Sequence, residues 1–349
     1  MSARSRKLSM EQMEARQLMA GDVTATLTGG NLTLNEASGQ AGRDNSVLIS
    51  QIAPGKIRVQ SNTTSDGTSS KINGRTYQDF NVTGSLTVNF GGGSDLVVFD
   101  GAAPPSFENV TLNMGAPQPL VLAKTLTTTS DAIKTLPDKD NVMMWNANIR
   151  GSLVVNTGAD NDWVYIANAK IGDNVGTDNI TVNSGAGADT VTLKNLQGTI
   201  NGAIDITTYS SLSEADADTV WLERVYARDY MTARTGGGAD LIHLDNVTSY
   251  RNINLDFGTG DDRGEINQTL ACDSFFANLG DGNDNLAIND LYGGTGKTSI
   301  LGGNGFDSLT KTGTYFPTRN VEQTGWEVIN GRRILGDLVQ SPVAVAVML

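Results

Sequence analysis

The sequence predicts an all-β fold, a right-handed single-stranded parallel β-helix (β-solenoid) with coils of about 22 residues. Two observations carry this expectation: a glycine-and-aspartate turn that keeps returning, and an alternating apolar strand after each return. The clearest turn is Gly302-Gly303-Asn304-Gly305-Phe306-Asp307-Ser308-Leu309-Thr310. It fits a nonapeptide G-G-x-G-x-D-x-U-x, with U a large apolar residue, in which glycines bend the backbone and a strand follows the Asp. Looser copies are Gly280-Asp281-Gly282-Asn283-Asp284, Gly258-Thr259-Gly260-Asp261-Asp262, Gly236-Gly237-Gly238-Ala239-Asp240, Gly185-Ala186-Gly187-Ala188-Asp189 and Gly91-Gly92-Gly93-Ser94-Asp95. Weaker copies end at Asp218, Asp162 and Asp140.

Differences in residue number from Asp140 onward are 22, 27, 29, 22, 22, 22 and 23. A period in the low twenties is the mark of a solenoid. From Asp95 to Asp140 is 45, which reads as two steps with a degenerate turn near Pro117.

The strand after each Asp follows from alternation. Counting from Asp as zero, positions +2 and +4 are apolar: Val164 and Ile166, Val191 and Leu193, Val220 and Leu222, Ile242 and Leu244, Leu286 and Ile288. Period-2 alternation buries one face of a strand. Position +6 is often Asn (Asn146, Asn168, Asn195, Asn246), with an apolar residue commonly next, and reads as a corner. Such Asn residues either form a hydrogen-bonded ladder along the stack or serve the ordinary turn preference of Asn. A second alternating run closes many repeats, as in Leu153-Val154-Val155, Ile180-Thr181-Val182, Ile204-Asp205-Ile206, Ile253-Asn254-Leu255-Asp256-Phe257 and Phe275-Phe276-Ala277-Asn278-Leu279. Two short strands cannot bury their apolar faces alone, but copies stacked about 4.8 Å apart share one core. Parallel crossovers are nearly always right-handed, hence the predicted hand.

Around this body the chain divides into an export-associated or disordered segment 1–20, an N-terminal cap with irregular first coils 21–79, the solenoid 80–312, and a C-terminal cap and tail 313–349. The cap follows from strand-like but off-period runs such as Val23-Thr24-Ala25-Thr26-Leu27, since an uncovered solenoid end is a sticky sheet edge. Thr125 to Lys139 reads as an insertion bulging from one side. Beyond Thr312 the period stops, and Tyr315, Phe316, Pro317 and Trp326 suggest a lid on the last coil. The apolar tail Pro342 to Leu349 is too short to span a membrane.

Net charge is −13, with 38 acidic against 25 basic residues, which argues against nucleic acid and anionic lipid as partners. One cysteine, Cys272, excludes an intrachain disulfide and a cysteine metal cluster, and reads as a small buried residue near a strand. The lone His243 falls at +3, an outward position, and reads as exposed. Gly293-Gly294-Thr295-Gly296-Lys297-Thr298 lacks the spacing and strand-to-helix context of a phosphate loop. No catalytic signature emerges.

Two resemblances add expectations. Met13 to Asp22 resembles the LEPR-XLL type of N-terminal motif on surface or exported proteins of planctomycete bacteria. Glu14, Arg16 and Leu18 match, while Ala15, Met13 and Met19 depart from it. It implies an extracellular or cell-surface location. Over most of residues 91–312 the turns resemble the calcium-binding repeats of RTX (repeat-in-toxin) proteins. That resemblance implies Ca²⁺ held between stacked turns by backbone carbonyls and the turn Asp, with Asp240, Asp262, Asp284 and Asp307, and in looser copies Asp189 and Asp95, as ligands. Here only one turn per coil carries the motif, whereas the family's nonapeptides come two to a coil. The other reading is a tight β-arc whose Asp caps its own backbone amides.

Arg224, Tyr226, Arg228 and Tyr230 in one coil, and Tyr250 and Arg251 in the next, form an Arg-and-Tyr stripe whose offsets place Arg228 near Arg251. Such a stripe suits an acidic sugar chain, by ring stacking and Arg–carboxylate pairing. Polar surface residues shielding the core with their stems are the plainer reading. The functional expectation is therefore a non-enzymatic exported or cell-surface solenoid with a structural or adhesive role, stiffened by Ca²⁺ where the turns bind it. Its partners are cell-surface polysaccharide or other copies of itself. The alternative is a polysaccharide-binding or polysaccharide-cleaving β-helix.

Overall fold

The computed structural model describes residues 21–40, 43–62, 69–101, 103–115, 140–173, 175–211, 214–317 and 321–333. They form an all-β solenoid of parallel strands in about nine coils of roughly 23 residues. Among the described residues no helix is long and apolar enough to cross a membrane. The segment 1–20, the turn near Pro117, the insertion Thr125 to Lys139 and the tail Pro342 to Leu349 lie outside the described residues.

Each coil contributes one strand to a 14-stranded sheet and one to a 12-stranded sheet, and three coils add a strand to a 3-stranded third side. The alternation of the sequence is realised directly: Val164, Ile166, Val191, Leu193, Val220, Ile242, Leu244 and Leu286 are fully buried from the first sheet. Ile180, Val182, Ile204, Ile206, Ile253 and Phe275 face them from the second. A one-residue slip would turn a whole strand inside out, so register is held wherever one face is buried. Val191 pairs with Val220 across a 29-residue step as regularly as Val220 pairs with Ile242 across 22. Loops absorb the extra residues, because closing a longer loop costs little. Gly264 occupies one +2 core position, and its empty space is taken by Leu286 and Phe257.

The corner at +6 is a backbone device. Asn146, Asn168, Asn195, Arg224, Asn246, Gln268 and Asp290 all have φ between 46° and 58°, a left-handed conformation that Asn tolerates better than most residues. No described hydrogen bond joins one of these Asn side chains to another, and only Arg224 reaches the corner side chain before it, that of Asn195, so the recurrence reflects backbone shape. An Asn ladder does exist, on the outer side of the 12-stranded sheet. Asn89, Asn113, Asn156 and Asn183 each donate Nδ2 to Oδ1 of the Asn one coil earlier, starting at Asn35, at 2.8–3.0 Å.

One expectation about the repeat is corrected. Leu96–Phe99 pairs directly, in parallel, with Asn141–Trp145. The 45 residues from Asp95 to Asp140 are therefore a single coil step. A step count from residue numbers assumes constant coil length, which an insertion breaks.

The ends are closed by antiparallel pairing. At the N-terminus Val23–Thr28 folds back on Asn31–Glu36, and Ser46–Ala53, Lys56–Ser61 and Tyr77–Asn81 form a meander. Ser46–Ala53 already stacks in parallel on Leu96–Phe99, so coil geometry begins inside the cap. At the C-terminus parallel stacking outlasts the glycine period: Val321–Thr324 and Val328–Ile329 each add to a sheet before Arg332–Arg333 turns back. Trp326 is buried there, and its indole donates to Ile300 O at 3.0 Å.

Candidate functional site

The glycines let the turns of successive coils press together. Gly258 and Gly260 have φ of 99° and 132°, and a Cβ on either would overlap a carbonyl oxygen of the preceding turn, that of Gly236 or Gly238. Only glycine suits both the dihedral and the approach. Some carbonyls so approached are also hydrogen-bonded between coils: Gly236 O accepts from Thr259 N–H (2.9 Å), and Gly258 O, which a Cβ on Gly280 would overlap, accepts from Asp281 N–H (3.1 Å).

Behind this turn edge the aspartates form one continuous column. The backbone N–H of each donates to Oδ1 of the Asp one coil later: Asp95 to Asp140, Asp140 to Asp162, Asp162 to Asp189, Asp189 to Asp218, Asp218 to Asp240, Asp240 to Asp262, Asp262 to Asp284 and Asp284 to Asp307, all at 2.7–2.9 Å. The column opens with Asn45, whose N–H donates to Asp95 Oδ1, and ends on Glu327, which accepts from Asp307 N–H at 2.6 Å. Sequence reasoning missed both ends. Their signals were present, however, in Asn45 before Val47-Leu48-Ile49 and Glu327 before Val328-Ile329. The β-arc reading had each Asp capping its own turn; the bond instead crosses to the neighbouring coil.

The second carboxylate oxygen has fewer partners. In the coil of Asp218 it accepts from the Thr208 hydroxyl at 2.6 Å, whereas the hydroxyls of Thr157 and Thr235, beside Asp162 and Asp240, donate to Ser184 O and Phe257 O one coil on. Five residues before Asp262, Asp284 and Asp307 stand Phe257, Leu279 and Gly302, which offer no hydroxyl. The Oδ2 atoms of these three are buried without a hydrogen-bond donor, as are those of Asp95, Asp162 and Asp240. Burial first, and neighbouring carboxylates second, push the group upward: Asp162, Asp218 and Asp262 rise to about 8 and Asp284 to about 6. Asp95, Asp140, Asp240 and Asp307 rise as well, with burial the largest cause in each.

Ca²⁺ prefers six to eight oxygens. The orphaned Oδ2 atoms of Asp262, Asp284 and Asp307 have the right donor chemistry, while the turn carbonyls of Gly236, Gly258, Thr259 and Asp281 are committed between coils. Among the described residues no three His, Cys, Asp or Glu side chains gather as a metal-binding group. The side chains alone thus call for a counter-charge, and any Ca²⁺ ligand set would have to draw on backbone carbonyls as well.

The Arg-and-Tyr stripe is dispersed. Arg224 pairs with Glu223 at 2.6 Å and reaches Asn195, and the half-buried Tyr226 donates its hydroxyl to Asn246 Oδ1 at 3.1 Å. Arg228 donates to Asn201 Oδ1 at 3.0 Å. Because Ala227 pairs with Ser249, Tyr250 comes level with Arg228, and Arg251 comes level with Asp229, its ion-pair partner at 3.5 Å. Tyr230 and Tyr250 are exposed. His243 is not exposed as expected. It is 8% accessible, stacked on Trp221 at 3.7 Å between centroids, with Nδ1 2.8 Å from Glu265 Oε2. An outward strand position is covered when neighbouring coils place long side chains in the same column. Cys272 is half-buried just after Arg263–Ala271, and burial pushes its thiol up.

An open cavity of about 400 Å³ lies elsewhere, lined by Gln268, Thr269, Leu270, Asp290 and Tyr292. The chain matches no protein-family model, no curated protein and no solved structure.

Proposed function

We propose that the chain is a non-enzymatic, exported or cell-surface rod with a structural and adhesive role, its buried carboxyl column neutralised by protons or, in calcium-rich surroundings, by Ca²⁺. The observation that carries this reading is the unbroken column from Asn45 to Glu327. It ties each coil to the next through a buried hydrogen bond to a carboxyl oxygen. Such bonds are stronger than neutral ones when the acceptor is charged, and a one-dimensional stack gains rigidity from every neighbour contact. A cohesive acidic rod with closed ends suits a spacer or scaffold. The orphaned oxygens at Asp95, Asp162, Asp240, Asp262, Asp284 and Asp307 support a counter-charge along the column. The resemblance of the turns to RTX repeats makes Ca²⁺ the ion to test, and the N-terminal resemblance supports the surface location.

The deciding experiment is thermal unfolding of metal-stripped protein by circular dichroism at pH 8, with and without millimolar Ca²⁺ and with Mg²⁺ as control. A Ca²⁺-specific rise of several degrees is the expected result, since an ion bound only to the folded state stabilises it by mass action. An unchanged midpoint removes Ca²⁺ from the proposal and leaves protons as the counter-charge. Location is tested separately by protease shaving of intact producing cells; a chain left uncut while a control surface protein is lost overturns the surface assignment.

A further inference from the structure

The cavity belongs to a longer feature. Successive parallel pairings set Tyr226, Thr248, Leu270, Tyr292 and Tyr315 in one column, one residue per coil. Tyr292 and Tyr315 are 43% and 56% exposed and stack with centroids 5.0 Å apart and planes 26° from parallel. Leu270 continues their apolar edge, half-buried. Two residues earlier in each of the central coils runs the left-handed corner column, whose members Gln268 and Asp290 are exposed. The cavity lies where the two columns run side by side, with an apolar wall of Leu270 and Tyr292 and a polar wall of Gln268 and Asp290.

We propose that this track binds an extended neutral polysaccharide, lying along the rod axis with its rings against Tyr292, Tyr315 and Leu270 and its hydroxyls on Gln268 and Asp290. Three features select that occupant. The apolar wall repeats once per coil, about 4.8 Å, which is comparable with the length of one sugar ring in an extended chain. The stacked tyrosines present an outward apolar edge with hydroxyls at its rim, and side-chain amides and carboxylates take hydroxyl donors directly. The charge points the same way. The only formal charge in the cavity lining is the Asp290 carboxylate, and the whole chain carries −13, so acidic sugars and a second copy of the rod are both repelled. The inference moves sugar binding away from Arg228 and Arg251 and changes its preference from acidic to neutral. It gives the adhesive half of the proposed role a ligand, and rests on that reading for its biological sense though not for the binding itself.

Isothermal titration of the intact chain with neutral hexasaccharides of glucose and of mannose, and with hexagalacturonate as the acidic comparison, tests it. Submillimolar binding of at least one neutral hexasaccharide and none of hexagalacturonate is expected. Tyr292→Ala weakens that binding tenfold or more, Tyr292→Phe preserves it, and Tyr77→Ala, an exposed tyrosine outside the track, leaves it unchanged. Asp290→Asn keeps the corner conformation and lowers affinity several-fold by replacing one charged acceptor oxygen with an amide donor. Unfolding midpoints of all four variants identify any that fail to fold. The inference is overturned if the folded wild type binds none of the neutral sugars at millimolar concentration, if Tyr292→Ala binds as the wild type does, or if hexagalacturonate is preferred. Adherence of rod-coated beads to producing cells separates the two readings. Beads that still adhere when neutral sugars fail to bind sink the glycan track alone, whereas sugar binding without adherence sinks the adhesive role alone.

Discussion

At the scale of single residues, the column makes a sharp distinction between losing an acceptor and losing a charge. Asp262 accepts from the buried N–H of Asp240 while its own N–H donates to Asp284. Asp262→Ala leaves the Asp240 N–H without an acceptor in a dry environment and opens a small cavity. The expected cost is about 1–3 kcal/mol, the desolvation penalty of an unsatisfied buried group. Asp262→Asn retains an oxygen acceptor and removes repulsion from Asp240 and Asp284, both of which raise the Asp262 carboxyl. It should therefore be neutral or stabilising at pH 8 in metal-free buffer, while abolishing any Ca²⁺ effect at that turn. Chemical denaturation of the three proteins at pH 8 checks the order. If Asn proves as damaging as Ala, the carboxylate has a role that an amide oxygen cannot fill.

At the scale of the repeat element, the corner conformation is worth testing where the side chain does least. Asn168 has φ of 53° and is half-buried, and the Gln197 side chain bonds to its backbone oxygen. Asn168→Gly should be close to neutral and Asn168→Ala should cost about 1–2 kcal/mol, the penalty of a Cβ in the left-handed region. In the coil where Arg224 holds this conformation, Arg224→Asn should stabilise slightly, because the lost pair with Glu223 is exposed and worth little. Thermal midpoints that place Ala above Gly at position 168 would mean that φ is not what selects Asn there.

Much of this element was legible in sequence. The +2 and +4 positions gave the core face, and the Asn at +6 gave the corner. The outer ladder was equally written, in Leu32-Thr33-Leu34-Asn35, Leu86-Thr87-Val88-Asn89 and Ile180-Thr181-Val182-Asn183. It was passed over because an Asn ending a strand looks the same whether it faces solvent or its own copy. The aspartates were legible as turn residues, but their bond partners were not, since a hydrogen bond between coils depends on axial stacking that one repeat does not contain. The Tyr292–Tyr315 stack was hidden for a related reason. Its two members straddle the point where the glycine period stops, so period counting assigned them to different parts of the chain.

At the scale of the whole molecule the column and the surface respond oppositely to pH, and their burial decides which response prevails. Asp79, Glu223, Glu265 and Glu322 are held below the ordinary carboxylate range, first by hydrogen bonds from Arg58, Lys194, His243 and Lys297 respectively. Their contribution is present above the unfolded value and is lost as pH falls through the folded one. The carboxylates themselves are partly exposed, from 14% for Glu223 to 43% for Glu322, so that contribution is small. The column carboxyls are raised instead, to about 8 at Asp162, Asp218 and Asp262 and about 6 at Asp284. The folded rod then binds more protons than the unfolded chain, and stability must fall as pH rises. The column's share is complete below the unfolded carboxyl value of about 4 and is lost progressively as pH climbs through 6 to 8. Metal-stripped protein should therefore unfold at a higher temperature at pH 5 than at pH 8, the reverse of a protein stabilised mainly by surface ion pairs. Ca²⁺, if it replaces the protons, should raise the pH 8 midpoint most and flatten the slope. A metal-free midpoint that is level or rises from pH 5 to pH 8 would show that the buried carboxyls are ionised and satisfied in the folded rod, and would remove the need for any counter-charge along the column.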